Sequence, residues 1–227
     1  MAFSSILRRR KPATQQPGVM ENFSHALPPT SSASQARRAS RRPSLLDDVR
    51  KSSSLAKREF PMYVLPISEL LQLERLPSHE NILDKLVIWE EGMAVVFVSQ
   101  TWLSDSHPDN DENVKLTLLK QVLQRARDGD LAVSGQWAAA LAYGGDLSIP
   151  AAQLQQDLEN GYVWFDIFSV PQTDQVAQGR AIGSIMSYVA DATYFMVLTG
   201  SWTHADNKQS RDFSGWRSRG WVARSQR

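Results

Sequence analysis

Asp166 is the side chain in this 227-residue chain with the strongest claim to chemistry, because it interrupts the apolar run Trp164-Phe165-Asp166-Ile167-Phe168. A carboxylate set among apolar residues needs a partner to justify its burial. The partner is either a ligand or a set of backbone amides at a strand end. A second polar group follows the β-branched run Val95-Val96-Phe97-Val98, which ends in Ser99-Gln100-Thr101-Trp102 and the loop Asp105-Ser106-His107-Pro108-Asp109. Such a run reads as a buried strand that delivers polar groups to a sheet edge.

Other chemistry is narrowed by residue type. The chain has no cysteine, which removes disulfides, thiolate-ligated zinc and thiol nucleophiles. His107, Asp109 and Asp111 supply only a fragment of the roughly six oxygens a calcium ion needs, and helix capping explains these acids more simply. His25, His79, His107 and His204 show no ligand spacing, so no metal is expected. No glycine loop follows the first strand, against a Rossmann dinucleotide fold. No Gly-x-Ser-x-Gly elbow supports a hydrolase triad.

The elements that must position these groups begin near Phe60. An extended piece, Phe60 to Leu65, precedes a turn or two of helix from Ser68 to Leu76 and a second helical stretch from Ser78 to Leu86. After the strand and its polar loop, a helix is predicted from about Glu112 to Asp128, with Val114, Leu118, Leu119, Val122 and Leu123 as its buried stripe and Gly129 as its stop. Helix up to about Tyr143 and then a loop is the reading for Leu131 to Ser148. Pro150 and Gly161 bracket a short helix. A second strand, Tyr162 to Phe168, is followed by a helix from Gln175 to Ala190 and a third strand from Ala192 to Leu198. Alternating strands and helices with short joints imply parallel pairing in a three-layer α/β sandwich. Ligands of such sheets sit beyond the carboxyl ends of the strands. Trp202, Trp216 and Trp221 read as cover for that edge, or as an aromatic wall around a ligand.

Charge divides the chain. Residues 1–58 hold 12 of the 25 Lys and Arg residues but only three of the 24 Asp and Glu residues. The remainder therefore carries 13 basic and 21 acidic groups, an acidic body behind a basic leader. The leader is rich in Ser, Arg and Pro and poor in aliphatics, so it is expected to be disordered. Its Arg-Arg-x-Ser arrangements make Ser40 and Ser44 candidates for phosphorylation, which would cut the local positive charge. No run approaches the ~20 apolar residues of a membrane span. The chain is expected inside the cell, in the cytoplasm, with organelle import through Arg8 to Lys11 as the alternative.

Phe97-Val98-Ser99-Gln100-Thr101-Trp102, His107-Pro108-Asp109, Tyr162 to Gln172, Ala181-Ile182-Gly183-Ser184-Ile185 and Trp216-Arg217-Ser218-Arg219-Gly220-Trp221 together resemble the TIR-like and heterokaryon-incompatibility-like domains of protists and algae. The resemblance runs from about Phe60 to Trp221. It implies a small flavodoxin-like fold over residues 59–227, with ligand-facing positions at Ser99, Trp102, His107, Asp109, Asp166, Gln172 and Trp221. It also implies either a signalling module that works by association or an enzyme that cleaves NAD at its bond to nicotinamide. Enzymatic relatives place a glutamate four residues after a tryptophan matching Trp221, and Ser225 stands there; Gln100 stands where a histidine is common. A serine supplies no negative charge to an oxocarbenium-like transition state.

The expectation is therefore a non-catalytic interaction or signalling domain, incomplete at its C-terminus, with no cofactor and with protein partners or a second copy. The alternative is an NAD or nucleotide glycohydrolase, or a degenerate relative that still binds a nucleotide, with Asp166 as its weak catalytic candidate. A third reading makes the basic leader the working part, an arm for acidic surfaces.

Overall fold

Val95–Gln100 forms the strand that the β-branched residues require, and all six of its residues are buried. In the computed structural model, which describes residues 4–8, 58–134 and 148–218, this strand is β4 at the middle of a six-stranded sheet of order β1-β6-β4-β5-β2-β3. β5 is Tyr162–Phe165 and β6 is Tyr194–Leu198. Both run parallel to β4, one on each side. The edges are antiparallel: β2 (Tyr63–Pro66) pairs with β5, β3 (Val87–Ile88) pairs with β2, and β1 (Ser4–Arg8) pairs with β6. The parallel centre and the α/β sandwich match the sequence expectation. The strand drawn from the leader does not appear in it.

Side chains along β4 alternate between two apolar layers, as a period of two demands. Val96 and Val98 pack with Leu116, Leu119 and Leu123 of α2 (Val114–Arg127) and with Leu154 and Leu158 of α3 (Ala151–Leu158). Val95 and Phe97 face the other layer, with Ala181 of α5 (Gln175–Gly183) and Tyr188 of α6 (Ile185–Asp191). There Phe97 lies flat against Trp164, ring centroids 4.1 Å apart. The crossover from β4 to β5 thus covers one face and that from β5 to β6 the other.

Several predicted elements change shape for identifiable reasons. The residues expected to form helix after Phe60 give one turn, α1 (Ile67–Leu70), and two short 3-10 turns, His79–Asn81 and Leu83–Lys85. The buried stripe of α2 is Leu116, Leu119, Leu123 and Ala126 with Lys115, whereas Val114, Leu118 and Val122 stand at its margin. The helix expected from Gln175 to Ala190 breaks at Ser184, whose hydroxyl donates to the Arg180 carbonyl at 2.8 Å and accepts the backbone N–H groups of Glu59 and Phe60. A hydroxyl bonding back to the preceding turn competes with the helix ladder. Gly129, at φ +78°, ends α2 as expected.

The second strand stops one residue before Asp166. Asp166–Ser169 forms a single helical turn, α4, and the Val170 N–H donates to the Asp166 carbonyl at 3.0 Å. Ser40, Ser44, Trp221 and Ser225, most of the leader and most of Leu131 to Ser148 lie outside the described residues. Among the described residues no helix is long and apolar enough to cross a membrane.

Candidate functional site

The crossovers leave β4 and β5 toward opposite faces, so a crevice opens between their carboxyl ends, where open α/β sheets place ligands. Four side chains fill it. Gln100, the last residue of β4, donates its Nε2 to both carboxylate oxygens of Asp166 at 3.0 Å. The Trp102 indole donates to Oδ2 at 2.8 Å, and the Ile167 backbone N–H donates to Oδ1 at 2.9 Å. A carboxylate offers about four lone-pair directions. These four contacts use them.

The Gln100 carbonyl Oε1 accepts from the Lys115 ammonium at 2.6 Å, and Lys115 also donates to the Thr101 carbonyl. An ammonium only donates, so the amide orientation of Gln100 follows from its partners. Lys115 is fully buried and lies 5.4 Å from the centre of the Trp202 ring, within cation–π range. Burial pushes the Asp166 carboxyl above the ordinary aspartate range, while Trp102, Gln100 and the Lys115 charge pull it back without prevailing. Sequence reasoning missed Lys115 because a lysine beside an apolar stripe ordinarily reads as solvated. The signal that locates it is reciprocal: a lysine on a core helix facing a strand-end acid.

The other sequence candidates separate. Ser99 accepts the Trp216 indole N–H at 2.9 Å, so this serine and Trp216 serve packing. Trp202 packs against the larger apolar layer. A Cβ on Gly200 would sit 2.7 Å from the Trp202 ring, which explains a glycine there. Asp109 is buried and accepts the backbone N–H groups of Lys115 and Leu116 at 2.9 to 3.1 Å. It satisfies the orphan donors at the start of α2 from a turn away, since Asn113 at the cap position is left-handed at φ 53° and makes no side-chain cap. Asp111 caps nothing and stands 3.6 Å from Arg75. His107 bridges two segments, with Nδ1 3.0 Å from the Asp109 carbonyl and Nε2 3.1 Å from the Leu76 carbonyl.

Beside this cluster lies an open groove of about 490 Å³. His107 and Gln172 line it together with Arg75, Ser78, Asn81 and Ser106, above Leu76 and Ile167. Of the sequence candidates, then, Trp102 and Asp166 meet in the crevice, His107 and Gln172 meet in the groove, and Ser99 and Asp109 belong to neither. The groove rim is fixed by Glu80, whose Oε1 accepts the backbone N–H groups of Gln172 at 2.7 Å and Thr173 at 2.9 Å and the Thr173 hydroxyl at 3.0 Å. Burial alone would raise this carboxyl, but those hydrogen bonds outweigh it and hold Glu80 at about 2.

Asp105, His204 and Asp206 form the one His/Asp/Glu group among the described residues with the spacing of a metal site. The His204 Nδ1 accepts the N–H groups of Asp206 and Asn207 at 3.2 and 3.3 Å. A ring that accepts at Nδ1 carries its proton on Nε2 when neutral, so the nitrogen facing Asp105 at 3.5 Å has no lone pair for a metal. That leaves two exposed carboxylates, too few for a site.

Fold and site define an α/β domain whose strand-end crevice is closed by its own carboxylate network beside an open polar groove. Compared with known protein families, with characterised proteins and with solved structures, the chain matches none.

Proposed function

We propose that the chain works as a non-catalytic, TIR-like protein-interaction or signalling domain in the cytoplasm that self-associates through an exposed helix face. The observation that carries this reading is on α5. Val176 is 66% exposed and Ile182 55% exposed. At 100° per residue, Gly179 and Gly183 fall between them on the helix wheel, and a Cβ at either glycine would meet nothing within 4 Å. Two exposed β-branched residues flanking an open strip let a second backbone approach closely.

The Asp166 network supports the non-catalytic half of the reading. A carboxylate whose lone pairs are all taken by Gln100, Trp102 and Ile167 has none left to orient water or to steady a sugar cation.

The test is sedimentation equilibrium of the full chain against Val176→Glu/Ile182→Glu. Both positions are exposed, so the fold tolerates the charges. Self-association weakens by about tenfold or more in the variant, since each carboxylate would be desolvated at the contact. Unchanged association removes α5 as the surface. Release of nicotinamide from NAD that Asp166→Asn abolishes would overturn the non-catalytic reading.

A further inference from the structure

We propose that the groove between residues 75–81, 104–107 and 167–172 is a binding site for a small phosphate monoester. Arg75, Ser78 and Asn81 take the phosphate, and Leu76 and Ile167 take the organic part. This goes beyond the association reading and uses a different surface from α5.

Charge is the first argument. The body carries 21 acidic against 13 basic residues, yet among the described residues that line the groove the formal charge is the Arg75 guanidinium, and the rim carboxylate of Glu80 is turned to the Gln172 and Thr173 N–H groups. Arg75 is available: its side chain is 60% exposed, and among the described residues its ionic neighbour is Asp111 at 3.6 Å, which is itself 99% exposed. A partner so fully hydrated contributes little and is easily displaced.

Donor count is the second. Beside the five guanidinium N–H groups stand the Ser78 hydroxyl, which forms no cap bond to the turn it precedes, and the exposed Asn81 amide. A bidentate guanidinium with these two groups supplies about four hydrogen bonds, which the three terminal oxygens of a phosphate monoester accept with more negative charge than a carboxylate brings to Arg75. Size is the third. A volume of about 490 Å³ falls within the ~300–1,000 Å³ of small-molecule sites and leaves room for an organic group over the apolar floor. The walls are braced before any ligand arrives, by His107, whose Nδ1 accepts the Asp109 backbone N–H at 3.1 Å while its Nε2 lies 3.1 Å from the Leu76 carbonyl, and by Glu80 holding Gln172 and Thr173.

The experiment titrates the full chain with phenyl phosphate, phenol and inorganic phosphate, following the Asn81 side-chain amide by NMR and the affinity by calorimetry. Phenyl phosphate binds saturably and shifts Asn81. Inorganic phosphate binds about tenfold more weakly, for want of apolar contact, and phenol does not bind. Arg75→Gln weakens phenyl phosphate by about tenfold or more, whereas Arg127→Gln, on α2 away from the groove, leaves it unchanged. Three outcomes overturn the proposal: no saturable shift at Asn81, equal affinity for inorganic phosphate and the ester, or equal losses in the two arginine variants. Because Val176→Glu/Ile182→Glu leaves the groove intact, loss of association in that variant with retained ester binding separates the two proposals.

Discussion

The Gln100 amide spans both oxygens of Asp166 with one nitrogen and turns its carbonyl to the Lys115 ammonium. A neutral side chain thereby stands between a fully buried ammonium and a half-buried carboxylate. Each charge depends on the other through it. Lys115→Met removes the ammonium, leaves Gln100 Oε1 and the Thr101 carbonyl without that donor, and strands the Asp166 charge. The expected loss is about 2–4 kcal/mol in urea unfolding, below that of a fully buried unpaired charge because Asp166 is half-buried and keeps its donors from Trp102 and Ile167. Lys115→Met/Asp166→Asn loses less than the sum of the single variants, because neither charge is then left alone. Strict additivity would show that the two residues do not communicate.

Glu80 predicts a pH dependence of opposite sense to that of Asp166. Its carboxyl falls from 4.5 to about 2 on folding, so its contribution is full above 4.5 and is lost as pH falls toward 2. Asp166 is raised, so its ionisation opposes folding as pH climbs past the ordinary aspartate range. Thermal melts between those two pH values show a shallower acid slope for Glu80→Gln than for the wild-type chain. For Asp166→Asn the difference appears above pH 3.8, where the variant keeps stability that the wild-type chain loses as pH rises. Parallel curves for all three proteins contradict the assignment.

At Gly200 the prediction is steric. The new Cβ of Gly200→Ala meets the Trp202 ring and forces it from its place over Lys115, at a cost of ~1–3 kcal/mol as in overpacked cores. Trp202→Leu/Gly200→Ala, which removes the opposing ring, recovers part of that loss. Chemical denaturation measures both.

His204 predicts an inert response to zinc. With Nδ1 accepting two backbone N–H groups, the ring holds its proton on Nε2, and long-range ¹⁵N spectra identify that tautomer. Adding one equivalent of zinc leaves those resonances in place. A zinc-induced shift lost in His204→Asn would revive the metal cluster.

The central strand, its two parallel neighbours and the sites of most turns were legible in the sequence, because β-branched runs and Pro or Gly punctuation act locally. Asp166 was legible as an oddity for the same reason. Its partners were less so. Lys115 lies 51 positions away in the chain and is buried on the face of α2 that also carries Leu116, Leu119, Leu123 and Ala126. The stripe read from spacing included Val114, Leu118 and Val122, which stand at the margin of that face, because spacing alone does not say which side of a helix its tertiary partners cover. The groove was legible only in part: His107 and Gln172 belong to loops after strands, whereas Arg75, Ser78 and Asn81 come from a segment read as helix. Two 3-10 turns there shape the wall, and nothing periodic marks them.

β1 carries a practical consequence. It comes from Ser4–Arg8, far ahead of the elements that begin near Phe60, yet it pairs along all five residues of β6. A chain trimmed to the body would leave the outward-facing backbone N–H and C=O groups of the five-residue β6 open on a strand that is mostly apolar, whereas the opposite edge ends in the two-residue β3. Open rows of that kind recruit other strands. Shortening this protein at its basic end therefore trades an arm for an adhesive edge, and the shortened body would stick to copies of itself for reasons unrelated to its function.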